Sequence, residues 1–168
     1  MTKKPSKRPE FPARNSDNDK RRLDPNPDPA VLAVLQSKAH YRGSPKHKQN
    51  PRLFGLEPFN GKRGDDTLCD THAGFGIEDL KGVQALLRRG ISAGLVGGRL
   101  LWTIADDGWI FEARRTNVVN SEYHGYPVRP TEAIAEPVYK RFAGWATANK
   151  DAKAINAAQA CAARYGFE

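Results

Sequence analysis

RLLWTIADDGWIFEARRTN, Arg99 to Asn117, is the stretch whose reading decides the fold. Two runs rich in aromatic and aliphatic residues flank Asp-Asp-Gly, and Asp-Gly between such runs is the strongest short-range signal for a β-hairpin. With Asp107 and Gly108 as the turn, Asp106 faces Trp109 and the pairs run outward from there. Ala105 meets Ile110, Ile104 meets Phe111, Thr103 meets Glu112, Trp102 meets Ala113 and Leu101 meets Arg114. Side chains alternate along a strand, so Trp102, Ile104, Phe111 and Ala113 share an apolar face suited to covering a helix. Glu112 and Arg114 fall together on the opposite, solvated face. A slip of one residue would bury them.

The elements on either side complete an α+β plan. Upstream, GIEDLKGVQALLRRGISAGLVGG (76–98) has helical spacing. Ile77, Leu80, Val83, Leu87 and Ile91 lie on one face. Glu78 and Asp79 in the first turn and Arg88 and Arg89 in the last complement the helix dipole, and Gly90 is expected to end or bend it. Downstream, SEYHGYPV (121–128) reads as a third antiparallel strand or extended edge, with Pro127 fixing its end. Residues 130–149 read as a helix interrupted at Pro137, and 151–168 as an alanine-rich closing helix. Near the start, Asp28 and Pro29 carry the cap and first-turn signature of a helix with Val31, Leu32 and Leu35 on its apolar side. The expectation is a helix packed on a small antiparallel sheet with the C-terminal helices covering an edge. Residues 1–28 are expected to be a disordered basic tail, and 29–168 a single domain with its core at about 40–130 and C-terminal helices at about 131–165.

Charge is unevenly spread. Through Asn50 there are twelve Lys/Arg against five Asp/Glu, so this end carries about +7 of the total +8. A basic excess gathered at one end fits a polyanionic partner, although a solubilising tail has the same composition. No apolar run approaches the roughly 18 residues that would span a bilayer, and the first residues lack the apolar stretch of a secretory signal. Cys69 and Cys161 lie far apart and form no disulfide framework, so a reduced cytoplasm is the expected compartment.

Gly43 to Gly64 holds three prolines and four glycines around Lys46, His47, Lys48, Arg52, Lys62 and Arg63. This is a basic loop, able to grip phosphates or simply to be solvated. Cys69 and His72 have a spacing found among zinc ligands, but a second ligand pair is not in view, so neither metal nor cofactor is expected. GLVGGRLL (94–101) precedes a strand and lacks the Lys-Ser/Thr of a phosphate loop.

The chemistry-bearing residues gather on the hairpin and the strand after it. Metal-free RNA cleavage needs a base for the 2′-hydroxyl, an acid for the leaving oxygen and cations for the phosphate. Glu112 as base, His124 as acid and Arg114 as clamp make a complete set, with His47 a rival acid. Lys46, Lys48, Arg52 and Arg129 supply phosphate contacts, and Tyr123 and Tyr126 supply stacking surfaces. Against this stands ordinary packing: a solvated sheet face for Glu112 and Arg114, buried aromatics for the tyrosines and a surface imidazole for His124.

YRGSPKHK (41–48), TLCD (67–70), WTIADDGWIFEARRTN (102–117) and YHGYPV (123–128) together resemble a group of small bacterial proteins sharing a Tyr-His-Gly-Tyr-Pro motif. The helix followed by an antiparallel sheet is similar in architecture to the barnase/colicin/RelE-like ribonuclease toxins. That resemblance implies an RNA-directed ribonuclease with catalytic roles for Glu112, Arg114 and His124, and a cognate protein that neutralises it. The alternatives are a non-catalytic nucleic-acid-binding or protein-interaction module, and an adaptor whose tail keeps it in solution.

Overall fold

The hairpin forms, but not in the expected register. In the computed structural model, which describes residues 21–48, 51–62, 80–117 and 119–168, Leu100 pairs with Arg114, Leu101 with Ala113, Trp102 with Glu112, Thr103 with Phe111 and Ile104 with Ile110. The turn is longer than Asp107-Gly108. Gly108 N–H donates to the Ala105 carbonyl at 2.9 Å and Ala105 N–H donates to Trp109 at 2.9 Å, so Asp106, Asp107 and Gly108 all lie in the loop. Gly108 sits at φ +90°, in the left-handed region that closes loops of this length. The shift of one residue moves Glu112 from a solvated face to the face of Trp102. The expected solvated face for Glu112 is thereby corrected.

The strands are β1 (His40–Tyr41), β2 (Val96–Gly97), β3 (Leu100–Ile104), β4 (Ile110–Asn117) and β5 (Glu122–Pro127), in the spatial order β1-β5-β4-β3-β2. All neighbours are antiparallel except β1 and β5, which run parallel and make the sheet mixed. β5 is therefore an inner strand, with His40 opposite Glu122 and Tyr41 opposite Tyr123. The helices among the described residues are α1 (Pro29–Lys38), α2 (Leu80–Ser92), α3 (Ala135–Ala148) and α4 (Ala152–Tyr165). The class is α+β.

Each face of the sheet is covered by helix. On one side Val83, Leu87 and Ile91 of α2 are buried as the spacing predicts; Ile77, Glu78 and Asp79 lie outside the described residues. Gly90 does not end α2, which runs on to Ser92. Its absent side chain lets the helix lie against β3, where a Cβ would stand 2.0 Å from the Trp102 carbonyl oxygen. The Asp28 side chain accepts from Ala30 N–H at 2.8 Å and starts α1, whose Leu32 and Leu35 pack on the same layer.

On the other side Trp102, Ile104, Ile110 and Val128 pack against Val138 and Phe142 of α3 and Ala154, Cys161 and Tyr165 of α4. The C-terminal helices thus pack on a face of the sheet, over β3 and the start of β4, rather than along an edge. Alanines at the contact, such as Ala146, Ala154 and Ala157, are fully buried and let both helices approach the sheet closely. Pro137 falls in the first turn of α3, where its missing N–H would have had no helical partner, and it does not interrupt the helix. No helix of the described residues is long and apolar enough to cross a membrane.

Residues 21–28 belong to this body, which corrects the expected boundary of the tail; residues 1–20 lie outside the described residues. Asp24 N–H donates to Val96 O at 2.7 Å, an Arg141 Nη1–H donates to Asp24 O at 2.6 Å, and Leu23 packs on the core.

Candidate functional site

The β4–β5 register sets Glu112 opposite Tyr126 and Arg114 opposite His124. Alternation therefore places all four on one face, together with Trp102 across from Glu112 on β3. They separate by depth.

Glu112 is the deep end. It is 0% exposed, and each of its oxygens is engaged. Oε2 accepts from Arg21 Nε–H at 2.8 Å and from the Trp102 indole N–H at 3.0 Å, while Oε1 accepts from the Tyr126 hydroxyl. Arg21 Nη1–H also donates to Glu132 Oε1 at 3.0 Å, so one guanidinium joins two buried carboxylates. Burial opposes the charge on Arg21, but the charge and hydrogen bond of Glu112 and the charge of Glu132 outweigh it and hold the pKa above its usual value. Desolvation first, and then the Glu112 charge and hydrogen bond, raise the Tyr126 pKa, so the phenol stays a protonated donor. A carboxylate in this state is an anchor. Taking a proton from a substrate hydroxyl would require it to leave these partners, and breaking a buried pair is strongly unfavourable.

The shallow end is cationic. The Arg114 side chain is 50% exposed, and its Nη2 comes no nearer than 3.9 Å to Glu112. His124 shares a hydrogen bond of 2.7 Å between Nδ1 and the Thr116 hydroxyl. Thr116 sits at the irregularity in β4 between Arg115 and Asn117. Desolvation, Arg114 and Lys46 each lower the His124 pKa. Lys46 is exposed on the 3-10 turn Pro45–His47. Beside this cluster opens a cleft of about 630 Å³ lined by Arg42, Ser44, Pro45, Leu56, Thr116 and Glu122, with Arg42 Nη1 at 3.3 Å from Glu122.

The remaining candidates disperse. Lys48 is fully buried with Nζ 5.0 Å from the Tyr41 ring centroid, so its ammonium is not on the basic surface. Arg129 is buried in the turn after β5, where its N–H donates to Glu132 Oε2 at 2.5 Å. Tyr123 is buried in the α2 layer beneath Arg115, whose Cζ is 5.8 Å from the ring. Arg52 is exposed on the turn Pro51–Phe54. The side chain of His47 lies outside the described residues, as do Cys69 and His72. Among the described residues no group of three or more His, Cys, Asp or Glu is placed to hold a metal ion.

Sequence reasoning missed three members of the cluster. Arg21 lies among polar neighbours outside any periodic run, and Glu132 stood within a segment read as a helix, so neither was marked as a partner of Glu112. Thr116 was legible, standing two residues beyond Arg114 and therefore on its face. Comparison of the chain with protein-family models, with curated proteins and with solved structures finds no match in any of the three.

Proposed function

We propose that the protein binds RNA as a non-catalytic module, with Arg114, Lys46 and His124 contacting phosphate and the adjoining cleft receiving the strand. The observation that carries this reading is the division of the face by depth. The carboxylate that catalysis would call on is sealed under Arg21, Trp102 and Tyr126, while the cations stay at the surface. Lys and Arg at a surface bind phosphate through counterion release, which gives affinity without sequence selection. A second reading, metal-independent cleavage of RNA, draws on one feature: a histidine with a lowered pKa and a fixed Nδ1 beside a cationic neighbour suits a general base.

Anisotropy of a labelled single-stranded RNA across graded KCl tests the first reading. Arg114→Ala with Lys46→Ala should weaken binding about tenfold and flatten the salt slope by about 1.4. Binding that ignores both salt and these substitutions would rule the module out. Incubating total RNA with the protein in EDTA addresses the second reading. Cleavage that is lost in His124→Ala would replace binding with catalysis as the function.

A further inference from the structure

Arg21 reaches its two carboxylates from a segment that is neither helix nor strand. Its Nε–H donates to Glu112 Oε2 at 2.8 Å, Nη2 stands 2.7 Å from the same oxygen, and Nη1–H donates to Glu132 Oε1 at 3.0 Å. Each carboxylate also accepts from a donor other than Arg21. Trp102 and Tyr126 hold Glu112 from β3 and β5, and the Arg129 backbone N–H holds Glu132. What remains when Arg21 is set aside is a preformed slot: two acidic groups fixed by other donors, walled by an indole and a phenol. The segment that carries Arg21, residues 21–28, is fastened to edge strand β2 by Asp24 N–H on Val96 O and to α3 by Arg141 on Asp24 O.

We infer that Trp102, Glu112, Tyr126 and Glu132 form a guanidinium-binding slot that the chain fills with its own Arg21. With the Arg21 side chain truncated, a guanidinium from outside the chain can take its place. The chemistry selects guanidinium over ammonium. Planar N–H groups spread over a guanidinium reach both carboxylates at once, whereas the three protons of an ammonium radiate from a single nitrogen. The inference is independent of the RNA reading, since it concerns the deep end of the face alone.

The test uses the full chain carrying Arg21→Ala, with ethylguanidinium as probe and ethylammonium as the control of equal charge. The readout is the Trp102 Nε1–H resonance in ¹H–¹⁵N NMR spectra, assigned by its loss in Trp102→Phe. Ethylguanidinium should shift this resonance to saturation in the millimolar range, and ethylammonium should need at least about tenfold more. The wild-type resonance should not move at the same concentrations. Equal responses to the two cations, or no response in a folded Arg21→Ala protein, would overturn the slot. A wild-type resonance that moves as readily as the variant's would overturn its occupation by Arg21. Should Arg21→Ala fail to fold, recovery of dispersed spectra with ethylguanidinium but not ethylammonium supports the slot, and recovery with neither, or equally with both, rejects it.

Discussion

His124 joins two behaviours that move in opposite directions with pH. Burial, Arg114 and Lys46 disfavour its protonated form, so its folded pKa lies below the ordinary 6.5. The unfolded chain therefore takes up the proton first, and the stability associated with the neutral ring is present above 6.5 and is lost as pH falls through the folded pKa. Protonation also adds a cation to the phosphate-facing surface. We expect RNA affinity to rise and thermal stability to fall together on acidification, and His124→Asn to remove both trends. Melting curves and anisotropy recorded from pH 7.5 to about 5 check this; a wild-type profile retained in His124→Asn would place the titration elsewhere. At this scale the sequence was informative about association and silent about depth. Glu112, Arg114, His124 and Tyr126 do share a face, because alternation and strand order follow from local pattern. That Glu112 is sealed depends on Arg21, which is 91 residues away in sequence and carries no local mark.

At the scale of the element, the β3–β4 hairpin shows how little separates two different proteins. Asp-Gly announces a turn with near certainty but does not say how many residues the turn takes. A two-residue loop would have put Glu112 in water; the loop of Asp106, Asp107 and Gly108 puts it in the core. The choice is made by long-range packing. Gly108 lies against α4, where a Cβ would stand 2.4 Å from the Ala160 carbonyl carbon, and its φ of +90° suits glycine alone. Gly108→Ala should therefore cost about 3 kcal/mol and lower the melting temperature by about 10 °C. Gly144→Ala is the matching control: it lies in α3 with nothing within 4 Å of a built Cβ, and should stabilise by up to about 1 kcal/mol. Calorimetry on the two variants separates crowding and strain at Gly108 from a general effect of alanine.

Across the whole molecule, α2 was readable because its buried residues keep helical spacing. α3 and α4 were readable as helices but not as a layer, since the alanines that let them cover the sheet face look unremarkable in sequence. β1 was invisible. Two residues carry no period, and their partner strand lies some eighty positions away. The α3–α4 layer has a chemical signature of its own. Cys161 is fully buried within it, and burial pushes its thiol up to about 12. In a Cys69→Ser background, alkylation of Cys161 by iodoacetamide should proceed only through global unfolding, at a rate that follows denaturant concentration. Labelling that is fast and independent of denaturant would mean that α4 detaches from the sheet on its own.

Tyr165 supplies the other end of that layer. Its hydroxyl donates to Val128 O at 2.6 Å and accepts from Ile110 N–H at 3.0 Å, two residues along β4 from the carboxylate that receives Arg21. Early and late parts of the chain thus close on the same strand, as two halves of a clasp. During synthesis the first half emerges with nothing to fasten to, and the second follows only after a further hundred or more residues, on the order of ten to thirty seconds later at ribosomal rates. Until Tyr165 arrives, the Ile110 N–H and the Val128 carbonyl lack their side-chain partner, so this closure follows the making of the sheet.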